Sequence, residues 1–468
     1  MADARDPNDL SPYSTPPEAW QPLLHLARQA RRPIDRFLRV EAASGILLLV
    51  AAAVAMLWAN SPWRASYDQL WHLSLGIRAG SFVFERPLHW VVNDVLMAIF
   101  FFVVGLEIRR ELHHGELSEW RRAVLPATAA LGGMVVPATL YLVFAGGPEV
   151  RSGWGIPMAT DIAFAIGILT LLGKRVPASL RVLLLALAVI DDLGAILVIA
   201  VFYSSGISII GLVVAAAGLL VILFMQRIGL RSRVGYIVPA VVAWAGIYAA
   251  GIHPTIAGVL VGLLTPVRAW LGPTGFQQGV RKELDHLGTL PSDKLSTHTL
   301  TQSLRQVDLV RREALSPAEG LIETLHPWVA FGIMPIFALA NAGVPLNEIG
   351  LDGSGLAIAS GVSIGLLLGK PIGVLLAIWL TLRLRVGILP AGLRVPHLVV
   401  LGLVAGIGFT MALFIGHLAF PQPSQLSAAK LGILASSAVA AILALAIGRI
   451  LLPVPSATGP TGQSEHLG

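Results

Sequence analysis

Five ionisable side chains lie deep within long apolar stretches of this sequence, where solvent cannot screen a charge. They are Asp94, Asp161, Asp191, Asp192 and Lys370. An unpaired charge at the centre of a bilayer costs about 2.5–3.5 kcal/mol on insertion scales, so each of these side chains requires a partner, a water-filled cavity or a function. A carboxylate that can hold either a proton or a metal ion provides the chemistry that ion-for-proton exchange requires.

The adjacent carboxylates of Asp191 and Asp192, in the string VIDDLGAI, are the strongest of these signals. Successive residues on a helix project about 100° apart, so one carboxylate can line an aqueous cavity while the other reaches a neighbouring helix. Two nearby carboxylates do not both ionise easily without a cation or a lysine. Lys370, in LLGKPIG, is the natural partner for Asp191. The alternatives are a purely structural Asp–Lys pair and a retinal Schiff base, for which the sequence lacks an aromatic pocket pattern.

Two of the apolar stretches contain residues that interrupt a helix. The first reads GIPMATDIAFAIGIL, in which Pro157 precedes Thr160 and Asp161. Proline removes a helix hydrogen bond, and Thr and Asp side chains compete for backbone partners, which predicts a discontinuous helix whose free ends face an ion. The second reads LGLVAGIGFTMALFIG, where three glycines mark another weak point or, alternatively, a close helix contact.

The composition indicates which kind of secondary-structure element holds these residues. Of 468 residues, 55% are hydrophobic and 13% are charged, and that charged share is about half of the roughly 25% found in soluble domains. This composition argues against a cytosolic enzyme and excludes a disordered chain, and the absence of Cys excludes a disulfide scaffold.

Runs of about 20 apolar residues cross a bilayer as helices. Twelve such runs are predicted, at 40–59, 88–106, 123–145, 154–173, 179–204, 206–226, 234–250, 252–267, 327–345, 354–382, 396–418 and 428–450.

The distribution of basic residues sets the predicted orientation. Lys and Arg exceed Asp and Glu by six, an excess that in a soluble chain would suggest nucleic-acid binding. With the N-terminus inside and the long 268–326 loop set aside, 20 Lys and Arg fall on cytoplasmic segments and 5 on outer segments. Positive charge flanks membrane helices mainly on the cytoplasmic side. The excess therefore indicates membrane topology, with both termini in the cytoplasm.

The segments outside the apolar runs divide the chain. Residues 1–36 predict a cytoplasmic tail, since the first apolar run is too long for a signal peptide. Residues 37–453 form the predicted twelve-span domain, and 454–468 a polar, disordered cytoplasmic tail. Within the domain, 72–86 predicts an extracellular β-hairpin, with a plain loop as the alternative. The polar 268–326 segment is a long cytoplasmic loop without a recognisable motif.

Weaker titratable signals flank the spans. Glu107, Arg110 and Glu111 close the second run at its predicted cytoplasmic edge, and could equally form a solvated helix cap. His253 in GIHPTIAG and His326 in LHPW are of the residue type that titrates near neutral pH. The alternative for each His is an ordinary structural role.

Seven strings along the chain resemble the NhaA-type bacterial Na⁺/H⁺ antiporters. They occur in the order of that family, from about residue 35 to 450, and read NDVLMAIFFFVVGLEIRREL, ATDIAFAIGIL, LAVIDDLGAI, LHPWVA, NAGV, GKPIG and GIGFTMALFI. The resemblance implies an all-α polytopic membrane protein of twelve transmembrane helices. It also implies inverted-topology repeats and two crossing discontinuous helices, which are spans four and eleven.

The resemblance further implies roles for individual residues. Asp191 and Asp192 would bind Na⁺ and protons, with Asp192 the more direct ligand. Thr160 and Asp161 would lie at the crossing, and Lys370 would pair with Asp191. Positions that the family links to pH response or its support are Asp94, Glu107, Arg110, Glu111, His253, His326 and, in the segment before His326, Glu323.

Two departures from the family pattern lie on the predicted cytoplasmic face. The family usually has Glu four residues ahead of the HisProTrp histidine, where this chain has Ile322, and the Glu of this chain follows at 323. The 268–326 loop also exceeds the usual length. The pH profile of other members is therefore not expected to transfer to this chain.

The sequence thus predicts a secondary active antiporter, not an enzyme, that exchanges cytoplasmic Na⁺ or Li⁺ for external protons. We expect exchange to be electrogenic and pH-regulated, to need no cofactor, and to serve sodium and pH homeostasis. The predicted location is the bacterial inner membrane, with the bilayer as surroundings, a homodimer joined through 72–86, and no nucleic-acid partner.

Two other classes compete with that prediction. An intramembrane aspartyl protease uses paired carboxylates as an acid–base dyad. Its two Asp residues lie on separate helices, commonly in a GxGD context, whereas Asp191 and Asp192 are adjacent and followed by Leu-Gly. A sodium–solute symporter of similar crossed-helix design would require an organic substrate for Na⁺ uptake.

Overall fold

The computed structural model describes residues 42–453 except 81, 205, 231–233, 290, 292–295 and 347–352. The predicted tails, 1–36 and 454–468, lie outside the described residues. The helices are α1 Ala42–Ala59, α2 Arg64–His72, α3 Leu88–His114, α4 Trp120–Phe144, α5 Ile162–Leu171, α6 Ala178–Phe202, α7 Ile209–Arg227, α8 Ile237–Ala249, α9 Thr255–Leu264, α10 Gly272–Thr289, α11 Thr297–Ala314, α12 Pro317–Asn341, α13 Gly353–Arg383, α14 Val395–Ala405, α15 Phe409–Ala419 and α16 Pro423–Leu451. The strands are β1 Ser74–Ala79 and β2 Phe82–Pro87, and the longest 3₁₀ segment, Arg151–Met158, precedes α5.

Length and hydropathy identify the helices that can cross a membrane. Among the described residues, eight qualify: α3, α4, α6, α7, α12, α13, α16 and the combined segment Arg151–Leu171. The number rises to ten if two bent pairs, α1 with α2 and α14 with α15, each count as one span. Helices α8 and α9 have only 13 and 10 residues and fall short of that length. The described part of the molecule is thus a membrane protein that is helical apart from the β1–β2 hairpin, with eight to ten such spans, where the sequence predicts twelve.

Most of the described part of segment 268–326, for which the sequence predicts a long cytoplasmic loop without a motif, is helical. It contains α10, α11 and the first turns of α12. Val310 packs beside Gly279 to join α10 and α11, and the Leu271 N–H donates to the Glu313 carbonyl at 3.1 Å. On the exposed side of α11, a hydrogen bond from Arg311 lowers the pKa of Asp308, which also pairs with Arg312.

Helix α12 begins ten residues before the predicted span at 327–345, and a capping box explains why. The Ser316 hydroxyl accepts from the Glu319 N–H at 3.1 Å, and the Glu319 carboxylate accepts from the Ser316 N–H at 3.2 Å. This reciprocal pair satisfies two backbone donors that a helix start leaves free. The polar start of the helix therefore lies outside the apolar run from which the span was predicted.

Strands β1 and β2 occupy the region for which the sequence predicts a hairpin. They pair in antiparallel register from Ser74 opposite Pro87 to Ala79 opposite Phe82. Arg86 attaches the hairpin to α8, because its guanidinium donates to the Tyr248 hydroxyl at 2.8 Å and lies 5.9 Å from the centre of the Trp90 ring. A two-stranded hairpin is marginal alone, so this attachment stabilises it.

Helices α3 and α9 pack with their backbones in direct contact. A Cβ atom added at Gly262 would lie 2.6 Å from the Phe102 carbonyl oxygen and 2.8 Å from the Gly105 carbonyl carbon. Small residues let membrane helices approach this closely, so that dispersion contacts between backbones replace side-chain interdigitation. The contact fixes α3 against α9, and His253 lies just before α9 in the chain.

We expect Gly262→Val to separate α3 from α9 and to lower stability by about 1–3 kcal/mol, the usual effect of overpacking. Thermal unfolding of the full chain in detergent measures this effect. Gly288→Val is the matched control, because no atom lies within 4 Å of a Cβ at Gly288. Equal melting temperatures for the two variants would contradict the close contact.

Candidate functional site

Two interruptions of helical structure, here called breaks, meet in the interior of the molecule. The 3₁₀ segment ends at Met158, and α5 begins at Ile162 after three residues outside any helix. Helix α14 ends at Ala405 and α15 begins at Phe409, with a bend of 41° between them. Pro157 lies just before the first break, and Gly406 and Gly408 lie within the second.

Each break satisfies backbone groups that the other leaves free. The Thr160 hydroxyl donates to the Ala405 carbonyl at 2.9 Å, and the Asp161 N–H donates to the Ile407 carbonyl at 2.8 Å. In return, the Thr410 N–H donates to Asp161 Oδ2 at 3.1 Å. Non-helical backbone is tolerated at membrane depth only where protein or water satisfies it. The two breaks therefore stabilise one another.

Asp161 connects the two breaks through its side chain. Its Oδ1 accepts from the Phe164 N–H at 3.0 Å and so caps the start of α5. Its Oδ2 accepts from the hydroxyl of Thr410 in addition to the Thr410 N–H. A carboxylate at a helix N-terminus is stabilised by the free N–H groups and the helix dipole, and Asp161 is only 1% exposed.

Lys370 and Asp191 form an ion pair in which both side chains are fully buried. Lys370 Nζ lies 2.6 Å from Asp191 Oδ2 and also donates to the Met158 carbonyl, at the end of the 3₁₀ segment. A π-helical turn, Gly365–Gly369, immediately precedes the lysine. Asp191 Oδ1 has no hydrogen-bond partner among the described residues. This pair therefore retains one carboxylate oxygen that can accept a proton or a cation.

Asp192 adds a second negative charge beside that pair. It is 2% exposed, and its charge interacts with those of Asp191, Glu107, Asp161 and Lys370. The buried centre thus combines three aspartates with one lysine. Like charges at short range in a low dielectric repel strongly. Such an arrangement favours uptake of a positive charge, whether a proton or a metal cation.

Asp94 and His253 lie together away from this centre. Asp94 Oδ1 is 3.7 Å from His253 Nε2, and their side chains are 15% and 13% exposed. His253 also contacts the Thr255 hydroxyl at 2.9 Å and the edge of the Phe414 ring. The structure therefore brings these two predicted residues to each other rather than to Asp191.

The predicted residues at the other end of α3 form a separate group. Glu107 interacts electrostatically with His326 and Arg110. Glu111 accepts from the Glu116 N–H at 2.7 Å, as the solvated-cap alternative expects. Glu323 is exposed. Its neighbour Ile322 instead packs into an apolar cluster completed by Leu106, Val267 and Ala318.

Sequence reasoning missed several polar residues of the interior. Thr410, which binds Asp161, is signalled only by its place after the glycines of GIGFT. Lys430, counted among the outer residues, is 9% exposed within α16. Hydrogen-bond contacts join His89 and Asn93 to Asn341, and no spacing in the sequence relates the first two to the third.

These features describe a polytopic helical membrane protein with a buried ionisable centre where residues 159–161 and 406–408 interrupt helical structure. The family model described as Na⁺/H⁺ antiporter 1 matches residues 35–447, and the chain belongs to that family. A Myxococcus xanthus protein named Na(+)/H(+) antiporter NhaA 2 is 66% identical over 95% of this chain and 94% of its own. One of the same name from Sorangium cellulosum is 54% identical over 94% of each. A solved structure, the sodium proton antiporter MjNhaP1 of Methanocaldococcus jannaschii, covers 88% of this chain and 92% of its own at 13% identity, with a TM-score of 0.48.

We expect Lys370→Met to destabilise the protein, because it leaves the Asp191 carboxylate buried without its ammonium. Removal of one partner of a buried ion pair costs about 3–5 kcal/mol. The double variant Asp191→Asn/Lys370→Met removes both charges and should recover most of that loss. Thermal unfolding of the full chain in detergent compares Lys370→Met, Asp191→Asn and the double variant, and additive effects of the single changes would contradict the pairing.

Proposed function

We propose that this protein exchanges cytoplasmic Na⁺, or Li⁺, for external protons across the bacterial inner membrane. One observation carries the proposal: the buried Lys370–Asp191 pair, with Asp192 beside it, lies where two helices are interrupted. Membership of the Na⁺/H⁺ antiporter 1 family and the names of the relatives support this assignment.

The proposed cation site consists of Asp191 and Asp192, with Asp192 as the more direct ligand. Carboxylate and carbonyl oxygens, with water, suit a small hard cation. Asp161 and Thr160 hold the crossing that borders this site. The free Oδ1 of Asp191 supports the proposal, because it offers an acceptor that Lys370 does not use.

Exchange follows from competition for these oxygens. From the cytoplasm, Na⁺ displaces the protons held at Asp192 and in the Asp191–Lys370 pair. The protein then exposes the site to the outside, where protons displace Na⁺. Because more than one proton leaves for each Na⁺ bound, the cycle moves net charge and is electrogenic. Cytoplasmic acid inhibits exchange, since a protonated carboxylate does not bind Na⁺.

The proposed membrane topology has twelve spans and both termini in the cytoplasm. The shorter α8 and α9 complete the twelve, and each bent pair counts as one span. Arg151–Leu171 and the α14–α15 pair act as the discontinuous crossing helices of an inverted repeat. The hydrogen bonds between Thr160 and Ala405 and between Asp161 and Thr410 support this crossing.

The cytoplasmic end of α3 is the proposed site of pH regulation. Its last turns carry Glu107, Arg110 and Glu111, and Glu107 interacts electrostatically with His326 and Arg110. Ile322 occupies the position where the family usually has Glu, and it is buried beside Leu106. We therefore propose that this chain responds to pH through Glu107 and His326, with Asp94, His253 and Glu323 in supporting roles.

We propose that the β1–β2 hairpin, on the extracellular side, joins two protomers. Leu75 and Val83 are 44% and 52% exposed on this hairpin, which projects apolar surface beyond the bundle. We expect the paired substitution Leu75→Glu/Val83→Glu to convert a dimer to a monomer. Native mass spectrometry of the full chain measures this change, with Glu85→Gln as the control on the same strand. A dimer that persists in the double variant would exclude this contact.

We expect Asp192→Asn to abolish exchange, because the amide can neither take up a proton nor balance the charge of Na⁺. Everted membrane vesicles measure the collapse of a respiration-driven ΔpH on addition of Na⁺ or Li⁺. Asp285→Asn, at an exposed position on α10, is the matched control and retains wild-type activity. Na⁺-dependent collapse in the Asp192 variant, at equal membrane abundance, would refute the site.

A further inference from the structure

The start of α15 has no capping side chain of its own. Its N-cap residue is Gly408, whereas Ser, Thr, Asp or Asn usually caps a helix. A Cβ atom added at Gly408 would lie 3.1 Å from the Ala159 carbonyl oxygen of the first break and 2.9 Å from a side-chain carbon of Leu366. The close approach of the two breaks therefore leaves no room for a capping residue here, and the cap must come from another part of the molecule.

A serine on α16 supplies one of the two acceptors at this helix start. The Phe409 N–H donates to Ser437 Oγ at 3.1 Å, and the Thr410 N–H donates to Asp161 Oδ2 at 3.1 Å. Both N–H groups are among those that a helix start leaves without a partner. Ser437 is only 2% exposed, so the protein rather than bulk water must satisfy the Phe409 donor. Helix α16 and Asp161 thus hold the start of α15 together.

The neighbouring serine of α16 makes no such connection. Ser436 is 1% exposed, and its hydroxyl bonds to the Gly432 carbonyl at 2.6 Å and to the Ile433 carbonyl at 3.1 Å, both within its own helix. Bonds of this kind satisfy a hydroxyl without joining a second helix. Two adjacent serines of nearly equal burial therefore differ in what their oxygens bind, which makes Ser436 a control for Ser437.

Helix α16 is itself packed closely against α13, the helix that carries Lys370. A Cβ atom added at Gly432 would lie 2.7 Å from the Ala359 carbonyl oxygen, and the Ser363 hydroxyl donates to the Gly432 carbonyl at 3.3 Å. Membrane helices approach this closely where the residues between them are small. Ser437 lies little more than one turn beyond Gly432 on α16. The cap of α15 therefore comes from a helix whose position is set by its contact with α13.

The carboxylate of Asp161 depends on this cap through Thr410. Asp161 Oδ2 accepts from both the N–H and the hydroxyl of Thr410, which directly follows Phe409 in the chain. Without the Ser437 oxygen, the Phe409 N–H would be buried without a partner, and the start of α15 could turn toward another acceptor. That movement would draw Thr410 away from Asp161. An uncapped N–H also leaves the positive end of the helix dipole facing the crossing, which disfavours a cation there.

We propose that Ser437 is a positioning residue that sets the Na⁺ affinity of the transport site through Asp161. This inference rests on the proposed function. The Ser437 oxygen holds Phe409, Phe409 places Thr410, and Thr410 orients the Asp161 carboxylate at the border of the proposed cation site. The apparent affinity of a site falls with the fraction of molecules in which the site is assembled. Loss of the cap therefore weakens Na⁺ binding, although Ser437 itself does not touch the ion.

Two substitutions remove the oxygen of Ser437 in different ways. Ser437→Ala deletes it, whereas Ser437→Cys fills a similar volume with sulfur, which is a weak acceptor. The Na⁺ dependence of ΔpH collapse is measured in everted vesicles at one alkaline pH. We expect both variants to raise the apparent KM for Na⁺ at least about 3-fold, because fewer molecules have an assembled site. The maximal collapse should change little, and Ser436→Ala should keep the wild-type KM.

Three results would overturn the inference. The first is a wild-type KM in both Ser437 variants. The second is a raised KM in Ser437→Ala alone, since that would indicate a lost packing volume rather than a lost hydrogen bond. The third is an equal rise in Ser436→Ala, which would indicate a general disturbance of α16.

A second measurement does not depend on transport. An ion that binds the folded protein raises its melting temperature as the ion concentration rises. Thermal unfolding of the full chain in detergent is followed against NaCl, with choline chloride holding the ionic strength constant, and the half-saturating Na⁺ concentration should rise by the same factor in both Ser437 variants. An unchanged concentration would contradict the role of Ser437. Wild-type vesicles without any Na⁺-dependent ΔpH collapse would instead refute the proposed function itself, so the two failures are distinguishable.

Discussion

A charge that is removed from water must be compensated by the protein, and this requirement organises the centre of the molecule. Lys370 is fully buried and is held by Asp191 and by the carbonyl of Met158. That carbonyl is available only because the 3₁₀ segment ends at Met158 without continuing into α5. The ion pair and the helix break therefore depend on each other: an unbroken helix would use the carbonyl internally, and the lysine would lose an acceptor.

The second break is a consequence of the same requirement applied to the backbone. Free N–H and C=O groups at two chain interruptions need partners, and the two interruptions provide them for each other through Thr160, Asp161 and Thr410. Because these bonds connect Asp161 directly to the junction of α14 and α15, any movement of α14 and α15 changes the surroundings of Asp161. These hydrogen bonds thus link the ionisable centre to the conformation of the bundle.

The sequence predicted the composition of this centre better than its connections. Charges in apolar runs identified Asp161, Asp191, Asp192 and Lys370, because an uncompensated charge in lipid is costly wherever it lies. The bond from Thr410 to Asp161 spans 249 residues, and no local pattern encodes such a pair. For the same reason the burial of Lys430 and the contacts among His89, Asn93 and Asn341 were not foreseen. The helices α10 and α11 were missed because their apolar positions are few and their stability comes from packing on each other.

The glycine contact between α3 and α9 bears on how parts of the molecule can move. With no side chains between the two backbones, α3 and α9 have little to repack, so we expect them to move as one rigid body. Asp94 and His253 belong to that body, and we expect their separation to stay constant through a transport cycle. At Gly132 and Gly373 the backbones of α4 and α13 are also in direct contact, so we expect these two helices, with Lys370, to form a second rigid body. A probe pair within either body supplies a fixed reference frame, and only distances between the bodies report the motion.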